Sequence, residues 1–137
     1  MGNSRNIFLY PFSLIYWLIT GIRNFMYNTG ILSSFEFHLP VICVGNITVG
    51  GTGKTPHTEY LAGLLRKNFR VAILSRGYKR KTRDFRIASP SSVVSDIGDE
   101  PLQIYRKFPD VLVAVNRNRV RGVKKILEAR PETEVII

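Results

Sequence analysis

Residues Thr48 to Thr55 read Thr-Val-Gly-Gly-Thr-Gly-Lys-Thr, the residue types of a loop that cradles nucleotide phosphates. Gly50, Gly51 and Gly53 let the backbone turn with several N–H groups facing inward, which makes a concave anion site. Thr48, Val49 and Thr52 complete the loop's backbone. Lys54 reaches the β- and γ-phosphates, and the Thr55 hydroxyl is placed to ligate Mg²⁺. The strict pattern begins with Gly, and here that position is Thr48. The Gly-Lys-Thr ending, between an apolar run and a helical pattern, carries the assignment to ATP and phosphoryl transfer.

Fewer residues elsewhere have chemistry to offer. Asp99 follows Gly98 and precedes a helical stretch, so it can cap that helix or act as a base. Arg76 lies just past an apolar run, on the edge where α/β sheets bind ligands; a phosphate or headgroup contact and a plain surface role are both open. His57 falls inside the helix after the loop, where packing is the simpler role. His38 points to nothing. The one cysteine, Cys43, lies in the apolar run Val41 to Val44 and reads as a buried structural thiol in a reducing compartment. No Cys/His spacing suggests zinc.

The elements that must hold these residues follow from periodicity. Pro40 to Gly45, Arg70 to Leu74 and Val111 to Val115 are short β-branched runs and read as buried strands, and Glu134 begins a fourth. Phe85 to Ala88 reads as a short extra strand. Helices are expected at Thr55 to Lys67, with Tyr60, Leu61, Leu64 and Leu65 on one face, at Glu100 to Phe108 with Pro101 in its first turn, and at Arg119 to Ala129. Gly77 to Asp84 is a basic loop, and Ser89 to Asp96 a Ser/Pro-rich connection. Strands alternating with helices give an α/β fold: a phosphate-loop NTPase-type parallel sheet with helices on both faces. The last strand is apolar and breaks off, so the domain is expected to be incomplete.

Three segments in order narrow the family: Val44 to Pro56, then Ser75-Arg76-Gly77-Tyr78, then Gly98-Asp99-Glu100-Pro101. Together they resemble the tetraacyldisaccharide 4′-kinases, the lipid A 4′-kinases of Gram-negative bacteria, over essentially the whole chain. The resemblance implies transfer of the ATP γ-phosphate to the 4′-hydroxyl of a membrane-embedded acylated glucosamine disaccharide, the lipid A precursor. It implies a catalytic role for Asp99, with Glu100 beside it toward the substrate, and a phosphate or substrate contact for Arg119. The family also carries an Asp-Asp-x-x-Gln motif, supplying carboxylates for Mg²⁺, and a second domain with a helper His; neither lies within these residues. A fragment of this extent is expected to be inactive alone. The alternative is a membrane-associated switch or positioning ATPase with a deviant loop. Those proteins place a Lys before the Gly pair, where this chain has Val49.

The 137 residues suit one domain, and a hydrophobic share of 45% gives it a core to bury. The formal charge of +10 is concentrated in Arg66 to Arg86 and in Arg117 to Lys125, clusters that suit a polyanion. Lys79 to Arg86 could meet anionic lipid or the phosphate of the acceptor. No nucleic-acid-binding motif accompanies them, so nucleic acid is not an expected partner.

Residues 1–35 form a separate hydrophobic segment, before the kinase domain at 36–137. Asn6 to Ile22 carries no charge and is dense in aromatics. As a helix it would span about 25 Å, short of the ~30 Å hydrocarbon core. A helix or hairpin lying in the membrane face is the preferred reading; the resemblance implies that this is the cytoplasmic face of the inner membrane. A core helix and a true span are the alternatives; a cleaved signal peptide lacks its Ala-x-Ala-like site.

Overall fold

The computed structural model describes residues 10–45, 53–78 and 80–137. The chain divides into two units, Met1–Glu36 and Phe37–Ile137.

The first unit contains α1, Tyr10–Asn28. Pro11 is tolerated because it lies in the first turn, where the missing N–H has no partner to lose. The Thr20 hydroxyl donates back to the Tyr16 carbonyl at 2.9 Å, so its polar group is satisfied within the helix. No side chain of α1 is buried. Tyr16 and Trp17 are 71% and 69% exposed. Among the described residues, no helix is long and apolar enough to cross a membrane.

The second unit is built on a four-stranded sheet in the order β2-β3-β1-β4. Its strands are β1 (Val71–Ser75), β2 (Arg86–Ile87), β3 (Leu112–Val115) and β4 (Val135–Ile136). β1 pairs in parallel with both β3 and β4, with Ala72 opposite Leu112 and Ile136. β2 pairs antiparallel with β3, so the sheet is mostly rather than wholly parallel. The helices are α2 (Lys54–Leu65), α3 (Val94–Ile97), α4 (Asp99–Lys107) and α5 (Arg119–Ala129). The short α3 falls where the sequence suggested an irregular connection.

Side chains that alternate along a strand reach opposite faces, and here each face has its own core. Val71, Ile73, Val113 and Val115 pack with Ala62 of α2, Ile97 of α3 and Leu102 and Ile104 of α4. Ala72, Leu74, Leu112 and Ala114 pack with Val123 and Ile126 of α5. Each fully buried Val, Leu or Ile contributes about 1.5–3 kcal/mol, so both layers are held by continuous apolar contact. Two local devices fix the helices. The Asn118 side chain caps α5 by accepting from the Arg121 N–H at 2.9 Å, an interaction worth about 1 kcal/mol. α4 carries Asp99 and Glu100 in its first turn and Arg106 and Lys107 in its last, complementing the helix dipole.

The segment Pro40 to Gly45 departs from expectation. It is not a regular buried strand: Val41 makes an isolated parallel bridge to Ile136, and the Ile42 N–H donates to the Ile136 carbonyl at 2.8 Å. It runs along β4, the edge of the sheet, and Val41 is 47% exposed. Cys43 is exposed, not a buried thiol. The apolar face assigned to α2 also shifts. Ala62 is buried, and Leu61 and Leu65 pack against the core, whereas Tyr60 and Leu64 face outward.

Candidate phosphate-transfer site

Parallel strands that end together leave a crevice at their carboxyl ends. A cleft of about 590 Å³ lies there, where β1 ends. Lys54, Thr55, Arg76, Asp99, Glu100 and Arg119 all line it. Residues Thr48, Val49, Gly50, Gly51 and Thr52 of the phosphate loop lie outside the described residues. Gly53, the last before the helix, occupies the N-cap of α2 with φ 76, a left-handed conformation that side chains disfavour.

α2 and α4 both begin at this cleft. The Thr55 hydroxyl donates to Glu100 Oε1 at 2.6 Å. Further along, the Gln103 side-chain amide donates to Glu59 Oε1 at 2.8 Å, and the Lys107 ammonium pairs with the other oxygen of Glu59. The two helices are therefore pinned at two levels, and the upper pin is at the site. The Lys107 hydrogen bond, helped by Gln103 and opposed by burial, holds the Glu59 carboxyl below the usual carboxylate range.

Asp99 is the first residue of α4, and Gly98 rather than Asp99 holds the N-cap position. The Asp99 carboxylate instead accepts the Glu100 N–H through Oδ1 at 2.8 Å, which fixes its orientation. Arg119, at the start of α5, donates through Nη1 to the Leu74 carbonyl at 2.8 Å. That bond ties its guanidinium to the end of β1, next to Ser75 and Arg76. His57 is not packed: it is exposed, and its Nδ1 lies 2.7 Å from the Gly53 carbonyl oxygen. His38 is exposed too.

The Thr55 hydroxyl and the Glu100 carboxylate are hard oxygen donors side by side. Mg²⁺ typically takes one or two protein carboxylates and fills its remaining positions with waters and phosphate oxygens. This pair suits it, although no cluster of three or more His, Cys, Asp or Glu exists among the described residues.

Several features were not anticipated from the sequence. Tyr78 lines the cleft, although it entered the reading only as part of a motif. Arg80 is drawn into the basic loop, where burial, with Arg86 nearby, lowers its pKa. The Glu59 brace had no signal at all, because its partners lie on a different helix far along the chain.

Comparison with known proteins agrees with the residues. The family model of tetraacyldisaccharide-1-P 4′-kinase matches residues 5–137. A tetraacyldisaccharide 4′-kinase of Flavobacterium johnsoniae is 54% identical over 94% of this chain and 38% of its own length. One from Bacteroides thetaiotaomicron is 52% identical over 94% of this chain and 34% of its own. The crystal structure of the "apo" form of LpxK from Aquifex aeolicus in complex with ATP aligns with a TM-score of 0.75 at 41% identity. It covers 94% of this chain and 42% of that one. The chain thus spans little more than a third of the curated relatives it matches. By its motifs, its fold and these matches, the chain belongs to the tetraacyldisaccharide-1-P 4′-kinase family.

Proposed function

We propose that the chain is the nucleotide-binding part of an enzyme that moves the γ-phosphate of ATP onto the 4′-hydroxyl of a tetraacylated glucosamine disaccharide 1-phosphate, in lipid A biosynthesis. The observation that carries this reading is the Thr55–Glu100 hydrogen bond. It brings the end of the phosphate loop and the Gly-Asp-Glu-Pro motif into one cleft.

The roles follow from chemistry and position. The sequence Thr48 to Gly53 is that of a phosphate loop, whose backbone N–H groups would meet the phosphates. Lys54 neutralises the β- and γ-oxygens. Thr55 and Glu100 would hold Mg²⁺, which when bound supplies charge neutralisation between the phosphates. Asp99 accepts the proton of the sugar hydroxyl as it attacks; phosphoryl transfer asks for positioning more than strong basicity. Arg76 and Arg119 face the negative charge from the ends of β1 and α5, where Arg forks recognise phosphate oxygens.

The acceptor is a lipid, and α1 is suited to meeting it at a surface. Its exposed Tyr10, Tyr16 and Trp17 are rings with polar tips, which favour the headgroup boundary. In this reading α1 lies on the cytoplasmic face of the inner membrane.

The test uses the full-length protein with γ-labelled ATP and the acylated disaccharide 1-phosphate. Label in the lipid is expected. ATP hydrolysis with the lipid left unlabelled would exclude the kinase reading and favour a positioning ATPase.

A further inference from the structure

Between β1 and β2 the chain runs through Arg76 to Phe85, a loop with four cationic side chains besides Lys79. A loop so charged would be expected to spread into solvent, yet it is folded onto itself and onto the residues just before Asp99. Arg80 closes it from within: Nη1 donates to the Asp84 carbonyl at 2.7 Å and Nη2 to the Arg83 carbonyl at 3.2 Å. The Thr82 hydroxyl then donates to the Asp96 carbonyl at 2.7 Å, and the Lys81 N–H to the Ser95 carbonyl at 3.0 Å.

The contact is closest at two glycines. A Cβ on Gly77, where φ is +70, would lie 2.5 Å from Arg80 Cδ and 2.8 Å from the Ile97 carbonyl oxygen. A Cβ on Gly98, where φ is +94, would lie 2.9 Å from the Tyr78 carbonyl oxygen and 3.3 Å from Gly77 Cα. Backbone therefore meets backbone between the two motifs. Arg76 is one residue from Gly77, and Asp99 is one residue from Gly98.

We propose that Arg80 is a positioning residue: by closing the loop on itself it holds Lys81 and Thr82 against Ser95 and Asp96, and so sets where Asp99 stands relative to Arg76. The two carbonyls it grips are successive in the chain, and its fork spans both. A lysine ammonium has the charge but not the fork, and reaches one of them. Displacing a reacting group by about 1 Å can cost ~100-fold in rate, so a loosened clamp is felt in the chemistry. Lys54 and Thr55 are carried on α2 rather than on the loop or on residues 95–98, so the larger part of the effect falls on the chemical step rather than on nucleotide binding.

The link to rate rests on the proposed transfer reaction, and the test therefore has one arm that does not. In the full-length protein, Arg80→Met is expected to lower kcat about 10- to 100-fold, leaving KM for ATP within about twofold. Arg80→Lys is expected to fall in between. Hydrogen exchange is expected to accelerate about tenfold across residues 94–102 in Arg80→Met, because local opening sets amide protection. Thr82→Val removes the bond to Asp96 together with the long 3.5 Å contact from Arg80 Nη1, and should show the same pattern at smaller size; it decides the matter if Arg80→Met fails to fold. Unchanged exchange across 94–102 overturns the proposal even if kcat falls, since Arg80 would then be acting on substrate directly. Accelerated exchange with normal kcat overturns it as well. If the parent protein transfers no phosphate, the functional reading fails, and the exchange arm still reports whether Arg80 holds the segment before Asp99.

Discussion

The Thr55 hydroxyl donates to the Glu100 carboxylate at 2.6 Å across 45 residues of sequence. Thr55 opens α2 as part of the phosphate loop, and Glu100 lies in the first turn of α4. A short bond between the first turns of two helices makes their starting points one object. Breaking it should separate binding of nucleotide from use of the metal. Glu100→Gln keeps a similar shape but loses the charge. We expect the Mg²⁺ concentration for half-maximal transfer by the full-length protein to rise about 10- to 100-fold, as when partners that orient metal ligands are lost. A Mg²⁺ titration of activity measures this, and an unchanged midpoint would remove Glu100 from the metal site.

Lys54→Ala removes the cation aimed at the β- and γ-phosphates. Loss of one preorganised electrostatic partner typically costs about 100- to 1,000-fold in kcat, and a fall of that order is expected in the lipid phosphorylation assay. Activity within a few-fold of the parent would show that Lys54 does not reach the transferring group.

Ile126 is fully buried between α5 and the sheet. Ile126→Ala leaves a cavity there and should destabilise the fold by about 2–5 kcal/mol, read by denaturant unfolding. Because α5 begins at Arg119, whose guanidinium holds the Leu74 carbonyl, the same variant should lose transfer activity at temperatures where it remains folded.

Glu59 provides a pH test. Its partners Lys107 and Gln103 keep its carboxyl below the ordinary value of 4.5 in the folded protein. A folded value below the unfolded one means that the brace stabilises fully above about pH 4.5 and is lost as pH falls through the lowered value. The melting temperature of the parent should exceed that of Glu59→Gln at neutral pH, and the gap should close on acidification. Asp110, lowered by its hydrogen bond to Arg66, titrates in both proteins and cancels in the difference. A gap that does not narrow at all as pH falls below about 4.5 would mean that charge is not what Glu59 contributes.

Trp17→Glu addresses α1. Burial of one large side chain contributes about 1.5–3 kcal/mol, so the substitution should weaken co-sedimentation of the full-length protein with lipid vesicles at least tenfold. Removing residues 1–30 should abolish it. Undiminished binding by the deletion would locate membrane contact elsewhere.

How much of this was legible in the sequence depends on whether one residue's neighbours were local. Val71 to Leu74 and Leu112 to Val115 announce themselves, because a strand covered on both faces must be apolar at every position. Arg119 to Ala129 is legible from its helical periodicity. Val41 to Val44 has the same apolar composition, yet among the described residues it pairs along β4 and leaves Cys43 exposed; composition does not tell a covered strand from an open one. β2 lies within the short strand read at Phe85 to Ala88, but its direction was not legible: two residues, Arg86 and Ile87, carry no sign of whether they run parallel or antiparallel. In the cleft, Lys54, Thr55, Asp99 and Arg119 were named from motifs. The Arg80 clamp and the Glu59 brace were not, because each depends on carbonyls or side chains that only folding brings near.

The strand order carries one more consequence. β1 lies in the middle of the sheet, yet both of its partners, β3 and β4, come later in the chain. During synthesis Val71 to Ser75 therefore emerges with two open edges and waits for each in turn. Distant pairings of this kind form slowly, and an unpaired apolar strand invites pairing with another chain. A strand in the middle of the described sheet is thus open to misassembly while the protein is being made.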